Sequence, residues 1–254
     1  MSARRGRGGG VRTGGKEKRP AGASGPSGPA TARRRLKRIG KFLERTYSKP
    51  ASRARRDLIA GLVRTILSQN TTDVNSRRAF QDLRERFPGW ADVESANVRS
   101  IESAIRRGGL ARTKARRIKR ILRGIHSTTG KLDLGFLRRM SDEEVFAYLL
   151  ALDGVGLKTA ACVALFELGR DVMPVDTHVH RVIGRLGVVG HPGTRDATFE
   201  ALSGIVPAGE SLSLHVNLIR LGRDLCRPRD PGCATCPVRS ECDFGRSGET
   251  AEGS

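Results

Sequence analysis

The chain has 254 residues, with 47 lysines and arginines against 26 acidic residues and a formal net charge of +21. That length holds one large or two small domains around a sizeable core, and the charge excess points to a polyanionic partner: DNA, RNA or an anionic membrane surface. No run of ~20 apolar residues occurs, which excludes a transmembrane helix. The Arg- and Gly-rich start lacks the apolar segment of a secretory signal, so a cytoplasmic protein is expected, or an organellar or nuclear one in a eukaryote.

Residues 1–32 are low in complexity, with Arg4, Arg5, Arg7, Arg12, Lys16, Lys18 and Arg19 set among Gly, Ser, Pro and Ala. They bury too little apolar surface to offset their ordering entropy, so a disordered basic tail is expected, either merely solvated or adding salt-sensitive DNA affinity. From there the pattern is helical. Thr31 is the N-cap candidate for a stripe of Leu36, Ile39, Phe42 and Leu43. Leu58, Ile59, Leu62, Val63, Ile66 and Leu67 give the strongest 3.6-residue period in the chain. Asp73 can cap a helix carrying Val74, Phe80, Leu83 and Phe87, stopped by Pro88. Val98, Ile101 and Ile105 mark a short helix, and after Gly108-Gly109 another runs through Ala115, Ile118, Ile121, Leu122 and Ile125. Ser141 and Glu144 form a capping box ahead of Val145, Tyr148 and Leu149. Further helices are expected from Leu157 and over 178–186, 195–205 and 210–224. No alternating strand appears, so the fold class is all-α.

The most informative stretch is Leu152-Asp153-Gly154-Val155-Gly156-Leu157-Lys158-Thr159-Ala160, followed by Val175-Asp176-Thr177-His178. Gly154 and Gly156 suit a tight hairpin between two helices, and the first amides of the second helix face any arriving anion, such as a DNA phosphate. Lys158 lies in that first turn, where the positive end of the helix dipole disfavours an ammonium; this suits a Schiff-base nucleophile. Taken alone, such a short motif more often marks two packed helices and a solvated surface lysine. Without the lysine, Asp176 reads first as a helix N-cap. His178 and His180 lie two apart and face different directions, a poor metal pair. Arg181 and the run Arg116, Arg117, Lys119, Arg120 and Arg123 form a basic surface of which some members should touch phosphate.

Four of the five cysteines, Cys226, Cys233, Cys236 and Cys242, are spaced C-x6-C-x2-C-x5-C on a segment broken by Pro228, Pro231, Gly232 and Pro237. Four thiolates there can wrap one metal centre, either a tetrathiolate zinc or an iron–sulfur cube, although zinc ribbons usually present two Cys-x2-Cys knuckles and only one occurs here. Cys162, in the helix after the hairpin, reads as a small buried apolar side chain.

The hairpin lysine, an aspartate eighteen residues later and this cysteine spacing occur together, and from about residue 33 to 243 the chain resembles the endonuclease III branch of the helix-hairpin-helix (HhH-GPD) DNA glycosylase superfamily. The resemblance implies that Lys158 is the nucleophile attacking the sugar C1′, that Asp176 is the catalytic aspartate, and that the four cysteines ligate a [4Fe-4S] cluster serving structure and DNA binding. It implies that Asn70, in Leu67-Ser68-Gln69-Asn70-Thr71-Thr72-Asp73, enters the gap left by a flipped base, and that Leu110 wedges into the stack. Gly154, Gly156 and Arg181 join them on the DNA face. Asp153 stands where the family usually has proline and Asn70 where it has glutamine, which bears on substrate preference and not on reaction class. The implied architecture is a helical barrel over 52–170 and a cluster domain from 33–51 and 171–245, with a cleft for duplex DNA between them. The implied activity is bifunctional: a monomer removes oxidised pyrimidines and cleaves the abasic site by β-elimination. The rivals are a monofunctional mismatch glycosylase of the same fold and a non-catalytic helix-hairpin-helix module with structural zinc.

Overall fold

The computed structural model describes residues 28–51 and 57–247, and among these the protein is all-α, with no strand beyond an isolated bridge between Val188 and Gly190. Helix α1 spans Pro29–Tyr47 and starts earlier than the sequence suggests. Its N-cap is Gly28 and not Thr31, because Pro29 has no N–H to lose and a φ already suited to the first helical position. Residues 28–32 therefore belong with a helix and not with the tail; the rest of that tail, 1–27, lies outside the described residues.

Helix α2 (Leu58–Leu67) is capped by Asp57, which accepts from the Ala60 amide. Thr72, not Asp73, caps α3 (Asp73–Arg86); Asp73 sits in its first turn, where a carboxylate suits the dipole. Helix α4 (Trp90–Ser95) follows, then α5 (Val98–Ala104), a 3₁₀ turn over Arg106–Gly108, and α6 (Ala111–Thr129). Both halves of the expected capping box, Ser141 and Glu144, are formed at α7 (Asp142–Ala151). The remaining helices are α8 (Leu157–Phe166), α9 (Thr177–Leu186), α10 (Arg195–Ser203), α11 (Ser211–Asp224) and α12 (Asp243–Ser247).

The apolar stripes fill two cores. One draws Leu62 and Ile66 of α2, Leu83 of α3, Ile118 and Leu122 of α6, Leu149 of α7 and Val163 of α8. The other joins Leu36, Ile39 and Leu43 of α1 to Val182, Ile183, Leu214, Leu218 and Val238 from the C-terminal part. Each such Leu or Ile, fully removed from water, contributes about 1.5–3 kcal/mol. Arg35 fastens α1 to the end of the chain: its buried guanidinium donates to the Leu186 carbonyl at 2.7 Å, the Glu241 carbonyl at 3.0 Å and Asp243 Oδ1 at 2.6 Å.

Helix α8 packs on α2 and α7 and also meets α11, so it lies where the two cores face each other. Its end is set by Gly61, where a Cβ would fall 2.1 Å from Glu167 Cδ; only glycine lets α2 approach this closely. Among the described residues, no helix is long and apolar enough to cross a membrane.

Candidate active site and DNA face

The turn from α7 to α8 is the expected hairpin, closed by the Val155 amide on the Leu152 carbonyl at 2.9 Å. Gly154 has φ +92°, and a Cβ there would lie 3.0 Å from Arg117 Cγ, so backbone shape and space both require glycine. Gly156 differs. Its φ is −98° and a Cβ would meet nothing within 4 Å, so the protein's own packing does not demand it. The missing side chain leaves the start of α8 open to a group from outside. No side chain caps α8 and no acid occupies its first turn, so the positive end of its dipole is uncompensated there. Lys158, half-buried, is the second residue of this helix.

Asp176 ends the irregular segment after α8 and is the N-cap of α9, its Oδ1 accepting from the Val179 amide at 2.8 Å. Capping occupies that one oxygen, and the cap does not require the other. A residue that the sequence reading missed feels the charge of both expected catalytic residues. His215, on α11, is buried; its Nδ1 lies 2.8 Å from the Pro174 carbonyl oxygen, and its ring packs edge-on to Phe166 at 5.5 Å. That carbonyl sits two residues before Asp176, so His215 steadies the approach to the carboxylate. Burial pushes the imidazole down to about 4, opposed by the carboxylate of Asp176 and reinforced by the ammonium of Lys158. The charges of Lys158 and Asp176 are thus both felt at this one ring. Cys162 reports the same neighbourhood: burial raises its thiol, while Lys158 as a hydrogen-bond partner lowers it. In sequence, His215 is disguised as one more position on an apolar helix beside Leu214 and Leu218.

A pH prediction follows from His215. Its folded value, about 4, lies below the ordinary 6.5, so the unfolded chain binds the extra proton between these values. Its contribution to stability is complete above pH 6.5 and is lost as pH falls toward 4, by roughly 3 kcal/mol. Urea melts at pH 7, 5.5 and 4 should show this loss in the native sequence and a shallower one in His215→Gln. Equal slopes would mean that another group carries the acid sensitivity.

Asn70 and Leu110 are both exposed and both left-handed, with φ +51° and +48°. For leucine that backbone is a genuine outlier, and Leu110 is also 59% exposed. The two loops form one platform. Lys114 is buried 3% exposed beneath them, its Nζ donating at 2.8 Å to the carbonyls of both Leu67 and Gly108. Gln69, next to Asn70, accepts from Arg117 at 2.6 Å and donates to Thr159 Oγ1 of α8 at 3.2 Å, linking the platform to the hairpin. Removing the Lys114 ammonium as Lys114→Met leaves two buried carbonyls unpaired. The expected cost is roughly 2–4 kcal/mol, read as a clear fall in melting temperature; an unchanged melt would refute the buried-staple role.

The basic residues divide by environment. Lys119 is buried and donates to the carbonyls of Ser95 and Ala96 at the end of α4. Arg120 pairs at 2.8 Å with Asp153, the hairpin residue that stands in place of proline. Arg181 turns inward, donating to the Cys226 carbonyl at 3.0 Å and the Gly222 carbonyl at 2.9 Å. In this geometry it fastens the end of α11 to α9. His180 lies 2.7 Å from Thr198 Oγ1, a packing role. Arg223 reaches across to Asp73 at 2.8 Å, joining α11 to α3 and holding that carboxyl below its ordinary value.

Cys226, Cys233, Cys236 and Cys242 all line one pocket, walled by Val182, Leu186, Leu221 and Phe244. Donors already point at its sulfurs: Arg185 Nη1 lies 3.4 Å from Cys226 Sγ and the Gly245 amide 3.3 Å from Cys242 Sγ. Burial and then the other thiols push Cys242 up to about 11. No three His, Cys, Asp or Glu among the described residues are arranged around a single ion. Four soft donors on one pocket, with N–H groups aimed at sulfur, are a donor set that fits an iron–sulfur cluster.

The profile of the HhH-GPD superfamily base excision DNA repair protein matches residues 63–208, which include the hairpin, Lys158 and Asp176. An endonuclease III of Sulfolobus acidocaldarius is 34% identical over 191 residues, covering 74% of this chain and 83% of the relative. The chain belongs to the endonuclease III branch of these base excision repair DNA glycosylases. A protein of Arabidopsis thaliana named as a putative DNA glycosylase is 43% identical to this chain over 166 residues, covering 65% of the chain but only 57% of the plant protein's length. Two solved endonuclease III structures on DNA, one non-covalent and one a trapped covalent intermediate, are each 26% identical with TM-score 0.71; both cover 84% of this chain, and 96% and 97% of their own.

Proposed function

We propose that the protein removes oxidised pyrimidines from duplex DNA and then cleaves the abasic site through a Schiff base, acting as a monomer. The observation that carries this reading is the position of Lys158 at the open start of α8 and of Asp176 as the cap of α9, both acting electrostatically on the buried His215. The target base must first leave the stack, which costs a few kcal/mol and least for a damaged base. The Lys158 amine attacks C1′, the C1′–N bond breaks, and the base departs with its electron pair and takes up a proton. The nitrogen loses a proton as the sugar ring opens to an iminium. That iminium acidifies C2′–H; loss of this proton breaks the C3′–O bond and expels the 3′ phosphate. The Asp176 oxygen not needed for the cap accepts the amine proton or stabilises positive charge on the sugar. The trapped endonuclease III–DNA intermediate among the similar structures supports a covalent route.

The test is excision and nicking across duplexes holding oxidised pyrimidines, uracil, and thymine opposite guanine, each with borohydride trapping. Cleavage with trapping on oxidised pyrimidines is expected. Base release without trapping would mark a monofunctional enzyme and overturn the lyase step.

Cys226, Cys233, Cys236 and Cys242 would hold a [4Fe-4S] cluster, which when bound supplies a rigid staple for the loop beside α9 and α11 and takes no part in the hydrolytic chemistry. Purified protein should then be brown, with broad visible absorption and iron and sulfide in fixed ratio. Cys236→Ser should lose the colour and Cys162→Ser, which lies outside that cavity, should keep it. Colourless, folded protein with stoichiometric zinc would sink the assignment.

A further inference from the structure

We infer that the cleft between α5 and α6 is a phosphate-binding groove for the DNA strand opposite the excised base. Its walls carry Arg99, Arg106, Arg112 and Arg116, with Ser103 between them and Glu102 as the one carboxylate among the lining residues. All four arginines are exposed. Arginines nearby are engaged: Arg107 with Asp82 at 3.4 Å, Arg117 with Gln69 at 2.6 Å, Arg120 with Asp153 at 2.8 Å. The four in the groove have no such partner among the described residues.

Their placement also works against the fold. Arg112 lies in the first turn of α6, at the positive end of the dipole, in a helix with no acid in that turn and no side-chain cap. Arg116 follows four residues later on the same face, a like-charge pair. Such an arrangement lowers helix stability unless an anion arrives from outside.

Position says which anion. Leu110, the exposed left-handed residue, stands between Arg106 and Arg112 in the chain. From the hairpin a chain of contacts runs through the buried Thr159 and the half-buried Gln69 to Asn70 and Gly109, whose Cβ position lies 3.9 Å from the Asn70 carbonyl oxygen, and then to the groove. Lys158 and the open hairpin mark the end that meets the strand losing its base. The arginines mark the other end, beyond Asn70 and Leu110, where the complementary strand's phosphates lie. This rests on the reading that Lys158 acts on duplex DNA.

The experiment uses the full chain and a duplex with a tetrahydrofuran abasic analogue, which binds but cannot be cleaved. Three consecutive phosphates are replaced by neutral methylphosphonates in one strand or the other, and Arg106→Gln, Arg112→Gln and Arg116→Gln are combined. The native sequence should lose about tenfold or more in affinity when the opposite strand is neutralised. The triple variant should bind the unmodified duplex correspondingly weakly, with a log–log salt slope shallower by about 2–3, and should barely respond to opposite-strand neutralisation. It should still respond to neutral linkages in the damaged strand, and its melting temperature should be equal or higher. Unchanged affinity and slope, full sensitivity to opposite-strand neutralisation, insensitivity to the damaged strand instead, or a lowered melting temperature would each overturn the assignment. Failure of the Schiff-base reading shows separately, as absent borohydride trapping by the native sequence, and leaves these binding measurements valid.

Discussion

Lys158→Gln is expected to bind an abasic-site duplex yet give no borohydride cross-link and no nick. The side chain sits in the first turn of α8, half-buried, while the helix is held by Ala160, Ala161, Val163 and Ala164 further along. Glutamine is similar in length and a good helix former, so these contacts survive the change. The hairpin survives too, because Gly154 and the Val155–Leu152 hydrogen bond do not involve Lys158. What disappears is the only nitrogen nucleophile the mechanism uses, and with it the covalent intermediate. Gel-shift and trapping assays on the same duplex check both halves. Full cross-linking by the variant would show that another amine is the nucleophile.

The second large effect is expected at Asp176→Asn. Oδ1 of the native carboxylate caps α9 through the Val179 amide at 2.8 Å, and asparagine caps as well as aspartate, so the melting temperature should hardly move. The negative charge that the proposed chemistry uses is lost. Base excision should fall by about a hundredfold or more under single-turnover conditions. Nicking of a preformed abasic site should suffer less, because no base has to depart. A normally melting variant that excises at the native rate would reduce Asp176 to a cap.

Much of this arrangement is legible in the residues. The stripes of α2 and α6 are long and regular, and Ser141 with Glu144 announces the start of α7. Local caps are harder: Gly28 over Thr31 and Thr72 over Asp73 are decided by backbone angles that neighbouring side chains do not reveal. Helix α4 escapes notice because only Trp90 and Val93 of its six residues give a strong apolar signal; what anchors it is tertiary, Trp90 Nε1 on Asp57 at 3.0 Å and Arg84 over the ring at 4.4 Å. The candidate site divides the same way. Lys158 and Asp176 announce themselves through the hairpin and the cap. Lys114 and Lys119 belong to what looks like a solvated basic face, and only burial against distant carbonyls distinguishes them from Arg112 and Arg116. Charge alone cannot separate a lysine that fastens two loops from an arginine that awaits a ligand.

The way Arg35 joins the first helix to Leu186, Glu241 and Asp243 bears on the order in which the molecule is assembled. The core holding α2 to α8 comes from one continuous stretch, residues 58–163, whose contacts can close as soon as that stretch has left the ribosome. Helix α1 emerges earlier but finds no apolar partner until α9 and α11 follow, and the Arg35–Glu241 contact spans 206 residues. During synthesis α1 is therefore an amphipathic helix with its stripe uncovered, waiting for nearly the whole chain. The cysteine segment follows α11 in the chain, so the loop that carries it is made after both α9 and α11. A nascent chain halted after residue 170 should protect its middle from protease while leaving α1 open to cleavage.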